Sequence, residues 1–107
     1  MDIYSYGVVL LELVTGKQAE KTVSTESLDI VKWVRRRVNI TDGVNQVLDP
    51  KISHSNQQQM IKVLELALHC TSVVPEKRPT MVEVVRALQL LESQAIAANS
   101  HDLNEEP

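Results

Sequence analysis

The first sixteen residues constrain the fold more than any other part of the chain, because positions 8–14 are all apolar except Glu12. A helix that is apolar on nearly every side must be covered by other elements. A buried strand has the same composition, and periodicity alone does not exclude it. The ends favour a helix, since Asp2 offers a carboxylate to first-turn amides and Gly16 suits a left-handed C-terminal cap. We therefore predict a central buried helix around which the rest of the chain packs.

Two more helices are predicted from apolar residues at helical spacing. One covers 28–38, with Ser27 as its cap, and the other covers 57–72. A short helical turn is expected at 44–48, where the following Asp49–Pro50 pair disfavours further helical backbone.

The last helix is predicted to begin at a capping box. In this motif the Thr80 hydroxyl accepts a hydrogen bond from the amide of Glu83, and the Glu83 carboxylate accepts one from the amide of Thr80. From residue 93 the sequence becomes small and polar, and we expect a flexible polar tail over 93–107. Because no strand pattern occurs anywhere, the fold is predicted to be all-α, with a central helix, three further helices and a disordered tail.

Charge and cysteine content exclude several classes of function. The net charge of −3 does not indicate a nucleic-acid-binding protein. The basic run at 35–37 is predicted to be a solvated helix face. The single cysteine, Cys70, indicates a small core residue and a reducing compartment. No signal peptide and no membrane-spanning run are visible, so a cytoplasmic location is expected.

The residues show no catalytic, cofactor-binding or metal-binding arrangement by themselves. His54, His69 and His101 lack metal-ligand spacing, and the glycines are isolated from one another. Trp33 is expected to pack its ring against neighbouring elements and to expose one edge. The alternative is that Trp33 is a contact for a partner protein.

Two separated motifs resemble one known family. Residues 2–17 resemble the central helix of the protein kinase C-lobe, in the variant of plant receptor-like kinases. Cys70 followed by residues 75–81 is similar to the final conserved block of the same family. Residues 27–34 and 47–50 resemble leucine-rich-repeat receptor kinases. The resemblance covers 2–92, which implies a partial kinase domain over 1–92, made of C-lobe helices only.

The resemblance also implies roles for individual residues. Asp2 resembles the helix aspartate that holds the catalytic loop through backbone amides. Val9 and Leu13 resemble positions that support the apolar column beneath the adenine. Glu12 resembles a glutamate near the substrate cleft. Arg78 resembles the arginine that pairs with the glutamate of an Ala-Pro-Glu motif.

The motifs that do the chemistry in this family lie upstream of the matching region. They are the glycine-rich loop, the strand lysine, the His-Arg-Asp loop and the Asp-Phe-Gly metal ligand. We therefore expect no catalytic residue and no cofactor in this chain, with ATP and Mg²⁺ belonging to the parent kinase. No residual kinase activity is expected.

The resemblance implies a fragment of a receptor-like Ser/Thr kinase. The parent would phosphorylate proteins in membrane-receptor signalling, with its kinase domain on the cytoplasmic side of the plasma membrane. The expected partner is the missing upstream part of the kinase domain. The alternative is a short non-catalytic helical module that binds kinases or other signalling proteins through Trp33 and the first helix. The net negative charge disfavours an unrelated bundle for nucleic acid or membrane surfaces.

Overall fold

The computed structural model describes residues 2–17 and 29–104, and all regular structure within these ranges is helical. The predicted all-α fold is confirmed. No helix in these ranges is both long enough and apolar enough to cross a lipid bilayer. The α-helices are α1 (Ile3–Thr15), α2 (Ile30–Val38), α3 (Gly43–Val47), α4 (Gln57–Cys70) and α5 (Met81–Asn104), with 3₁₀ turns at His54–Asn56 and Pro75–Lys77.

Both ends of α1 follow the sequence prediction. The Asp2 side chain accepts a hydrogen bond from the backbone amide of Tyr4 at 3.1 Å. Gly16 has a φ of 73°, and its amide donates to the carbonyl of Glu12 at 2.9 Å. Glycine adopts this left-handed conformation without the strain that a Cβ would impose. α1 therefore begins and ends where its capping residues predict.

The core forms where α1 packs against α4 and α2, and the contact with α4 is the more extensive. Leu11, Val34 and Ala67 are fully buried, which places one residue from each of these helices at the centre. α3 contributes Val47 to the same cluster. The remaining buried members are Leu10, Val14, Ile30, Val31, Leu48 and Leu64.

Gly7 allows α1 and α4 to approach closely. A Cβ at this position would lie 2.6 Å from the Cβ of Cys70 and 2.8 Å from Cγ2 of Thr71. Cys70 is completely buried at this contact, as predicted for a small core residue. Burial raises the pKa of its thiol, because the thiolate loses hydration.

Arg35 corrects the prediction that the whole basic run at 35–37 is a solvated helix face. Its Nη2 donates to the carbonyl of Leu68 at 2.6 Å and lies 3.5 Å from Oγ1 of Thr71, near the end of α4. The last carbonyls of a helix have no partner within the helix and carry partial negative charge, so they attract a guanidinium. Arg35 thus joins α2 to α4, whereas Arg36 and Arg37 remain exposed.

Two predicted helix boundaries also shift. α2 has Asp29 as its N-cap, since the Asp29 carboxylate accepts from the amide of Lys32 at 3.2 Å. The predicted cap, Ser27, lies outside the described residues. α4 ends at Cys70 and not at residue 72. Just after this end, the Thr71 hydroxyl donates a hydrogen bond to the carbonyl of Ala67 at 2.9 Å.

The predicted capping box begins α5. The Thr80 amide donates to the Glu83 carboxylate at 3.0 Å, and the Glu83 amide donates to the Thr80 hydroxyl at 3.2 Å. The bond from the Thr80 amide is the main reason why the pKa of Glu83 is lowered, because it stabilises the carboxylate. The short capping signal was therefore sufficient to locate the start of this helix.

The prediction of a disordered tail from residue 93 is wrong for residues 93–104, which continue α5 to Asn104. The stretch 93–98 contains three alanines and neither glycine nor proline, so it has high helix propensity and no stop signal. Polar composition marked the departure from the core and not the end of the helix. The last part of the predicted tail, 105–107, lies outside the described residues.

Replacing Gly7 with alanine is expected to lower the free energy of unfolding by about 1–3 kcal/mol, because the new methyl group overpacks the contact with α4. Alanine is the better helix former by about 1 kcal/mol, so without a close contact the same change would stabilise the protein. Urea unfolding followed by circular dichroism measures the difference. Gln89→Ala, at an exposed position of α5, is the control and should change stability by less than about 0.5 kcal/mol. A stabilised Gly7→Ala variant would contradict the close approach.

Candidate functional site

One side of α1 carries apolar residues that no described element covers. Val9 is 49% exposed and Leu13 is 69% exposed, although the neighbouring Leu10, Leu11 and Val14 are buried. Glu12 is half-buried, and together with Gly16 it lines the same shallow depression as Val9 and Leu13. We call this surface the α1 face, defined by Val9, Glu12, Leu13 and Gly16.

The α1 face brings together three of the residues singled out from the sequence, namely Val9, Glu12 and Leu13. Two large apolar side chains one helical turn apart are typical of a surface that binds another protein segment. Among the described residues, no group of three or more His, Cys, Asp or Glu side chains is placed to hold a metal ion. The arrangement is therefore a candidate docking surface for a protein segment.

Asp2 lies at the N-terminal end of the same helix and is exposed. Besides the Tyr4 amide, its carboxylate accepts from the hydroxyl of Ser5 at 3.3 Å. These bonds stabilise the first turn of α1, where a negative charge also interacts favourably with the helix dipole. Asp2 is thus a helix cap here, and its implied role of holding a catalytic loop stays a prediction.

Arg78 is half-buried between α4 and α5 and contacts the first turn of α1. Its Nε donates to the carbonyl of Ser72 at 2.9 Å, and its guanidinium carbon lies 4.9 Å from the centre of the Tyr4 ring. A cation over an aromatic face at this distance is attracted by the ring electrons. Arg78 therefore connects the loop before α5 to α1. Sequence reasoning missed both partners, since nothing local links Tyr4 to Arg78.

Trp33 is half-buried and packs against the core from α2. Nζ of Lys17 lies 4.8 Å from the centre of its ring, and the guanidinium carbon of Arg37 lies 5.5 Å away. The expected packing against neighbouring elements is present, but the two cations were not foreseen. A role for Trp33 as a partner contact stays a prediction.

The family model for protein tyrosine and serine/threonine kinases matches residues 1–88. This chain belongs to the protein kinase family. The match covers the whole α1 face and ends within α5, so the kinase resemblance of the two sequence motifs is confirmed.

Proteins similar to this chain include receptor-like kinases of Arabidopsis thaliana. One, named "Probably inactive leucine-rich repeat receptor-like protein kinase", is 59% identical over 97 residues, covering 87% of this chain and 11% of the relative. A second, the MDIS1-interacting receptor like kinase 1, is 44% identical over 90 residues, covering 82% of this chain and 9% of the relative. The chain therefore spans about a tenth of the length of these relatives.

A solved structure shares the fold. The pseudokinase domain of BIR2, an immune regulator of the RLK/Pelle family, superposes with a TM-score of 0.73 at 29% sequence identity. The superposition covers 88% of this chain and 28% of the pseudokinase chain. The all-helical body thus resembles part of a kinase C-lobe, as the sequence predicted.

Replacing Arg78 with alanine is expected to destabilise the protein by about 1–2 kcal/mol, because it removes the hydrogen bond to Ser72 and the contact with the Tyr4 ring. Urea unfolding again provides the measurement. Arg86→Ala, at an exposed arginine of α5, removes the same side chain and should cost less than about 0.5 kcal/mol. Equal losses in the two variants would show that the contacts of Arg78 contribute nothing specific.

Proposed function

We propose that this chain is a non-catalytic scaffold segment of a receptor-like kinase, and that its α1 face packs against the rest of the kinase domain. The observation that carries the proposal is the exposure of Val9 and Leu13 on a helix whose other side forms the core. Covering such side chains contributes about 25 cal/mol for each Å² of apolar surface removed from water.

The kinase relatives support the proposal that the rest of the kinase domain covers the α1 face. The BIR2 pseudokinase chain is much longer than the segment that superposes here, so it has further residues available to cover the equivalent helix. The roles implied for Val9, Glu12 and Leu13 also concern contacts with the adenine column and the substrate cleft. These contacts require residues from outside the matching segment.

The activity that we propose for the whole kinase is transfer of the ATP γ-phosphoryl group to serine or threonine hydroxyls of proteins. It would take place in receptor signalling, on the cytoplasmic side of the plasma membrane. This chemistry needs a phosphate-binding loop, metal ligands and a base. The 107 residues contain no glycine-rich loop, no His-Arg-Asp and no Asp-Phe-Gly sequence. We therefore assign ATP and Mg²⁺ to the whole kinase and not to this segment.

The purified chain is expected not to bind ATP in the presence of Mg²⁺, because the groups that hold the phosphates are not part of its sequence. Isothermal titration calorimetry with the nucleotide measures this directly. Saturable binding of ATP would contradict the proposal that this segment is only a scaffold.

Association with the rest of a kinase domain tests the α1 face itself. The probe is the kinase domain of the 59% identical Arabidopsis relative, prepared without the segment that matches this chain. We expect the wild-type chain to bind this probe and Val9→Glu/Leu13→Glu to bind at least tenfold more weakly, since two carboxylates would be buried without partners. Calorimetry or surface plasmon resonance gives the affinities.

The matched control is Val82→Glu/Leu90→Glu, which changes the same two residue types at positions that are each 59% exposed on α5. This variant is expected to bind the probe like the wild type. Equal weakening by both double variants would indicate non-specific apolar contact and would count against the α1 face.

The alternative function, a short interaction module, is favoured by one observation. Leu11, Val34 and Ala67 are fully buried without any other chain, so the segment has a core of its own. The intact kinase domain of the same relative distinguishes the two functions, because it already contains an equivalent of α1 in place. A scaffold segment should bind only the incomplete domain, whereas an interaction module should also bind the intact one.

A further inference from the structure

The outer side of α2 is strongly basic. At 100° per residue, Lys32 and Arg36 project away from the buried Ile30 and Val34, whereas Arg37 lies on the flank of the helix, on the other side of Trp33. The side chain of Lys32 is 73% exposed, and Arg36 and Arg37 are also exposed. These residues place three positive charges on a helix of nine residues. Arg35 is not included, because its guanidinium donates to the carbonyl of Leu68 near the end of α4.

A residue from another element completes this surface. Lys17, just after α1, approaches the ring of Trp33 to 4.8 Å, and Arg37 approaches the same ring to 5.5 Å. The Trp33 ring thereby contacts two cations that are distant in sequence. We call this surface the basic face, defined by Lys17, Lys32, Trp33, Arg36 and Arg37.

Among the described residues, Asp29 is the acidic side chain that pairs with the basic face. In the ranges 2–17 and 29–104, the sole ion pair joins Lys32 to Asp29 at 4.0 Å, and both side chains are largely exposed. Lys32 and Arg36 are four residues apart, a spacing at which like charges repel on a helix. Favourable interaction with the helix dipole explains arginines in the last turn of α2. Lys17 lies just beyond the C-terminal end of α1, where the same interaction favours a positive charge.

We propose that the basic face binds a short segment of a partner protein that is rich in aspartate and glutamate. The guanidinium groups of Arg36 and Arg37 can each donate two parallel hydrogen bonds to a carboxylate. A helix of nine residues is about 13 Å long, which corresponds to about four residues of an extended peptide. This function does not depend on the α1 face.

An anionic membrane surface matches the observations less well than an acidic peptide. The whole chain has a net charge of −3, so an anionic bilayer repels the rest of the molecule. Trp33 is half-buried and has two cations over its ring, so insertion into a bilayer would break these contacts. A narrow peptide needs only the basic face itself.

The experiment uses the full 107-residue chain and a blocked peptide of six alternating aspartate and glutamate residues. Trp33 is the single tryptophan of the chain, so its fluorescence reports on this surface directly. We expect a saturable change in Trp33 fluorescence and an affinity that falls as salt is raised. Arg36→Gln/Arg37→Gln is expected to weaken binding about tenfold, as estimated from two exposed charge pairs.

The matched control is Lys51→Gln/Lys77→Gln, which removes the same charge from two exposed lysines outside the basic face. It should leave the affinity nearly unchanged. A second variant, Lys17→Gln, changes the basic face without altering the sequence of α2, and it is expected to weaken binding about threefold. It therefore remains a test if circular dichroism shows that the Arg36→Gln/Arg37→Gln variant has lost helix. Equal weakening by the control variant, or no saturable change with the peptide, would overturn the proposal. Binding to phosphatidylserine vesicles or inorganic phosphate, but not to the peptide, would overturn it as well.

Discussion

The close contact between α1 and α4 at Gly7 is the constraint on which the rest of the structure depends. Without a side chain at Gly7, the two helices approach until Cys70 and Thr71 lie directly against the backbone of α1. Leu11 of α1 and Ala67 of α4 are completely buried in the core that forms around this contact. In a chain with one tryptophan, two tyrosines and no phenylalanine, tight packing of small and aliphatic side chains replaces the large aromatic contacts of many cores.

The same contact decides which side of α1 is available for function. Since α4 covers the side that carries Gly7, Leu11 and Val14, the residues at positions 9 and 13 face outward. A helix with apolar residues on both sides is unusual for an isolated domain but suits the interior of a larger lobe. Membership of the protein kinase family gives this arrangement a physical explanation, because further parts of a kinase domain can cover the second side.

The arginines of this chain differ in their contacts: some join helices and others remain at the surface. Arg35 satisfies carbonyls at the end of α4, and Arg78 contacts both Ser72 and the Tyr4 ring. Arg36 and Arg37 remain at the surface, where Arg37 and Lys17 each contact the Trp33 ring. The surroundings of each guanidinium determine whether it joins helices or is available to a partner.

The sequence by itself determined that the helices exist, the caps at both ends of α1 and at the start of α5, and the family. The Asp2 cap, the Gly16 cap and the Thr80–Glu83 capping box are local signals, since their hydrogen bonds join residues a few positions apart. Only the tertiary structure decided that Arg35 faces α4, that Arg78 contacts Tyr4 and that Lys17 meets Trp33. These pairs come from separate elements, and their contact depends on how the helices pack, which no short stretch of sequence specifies. The length of α5 was missed for a different reason, because polarity marks a solvent-exposed stretch and does not stop a helix.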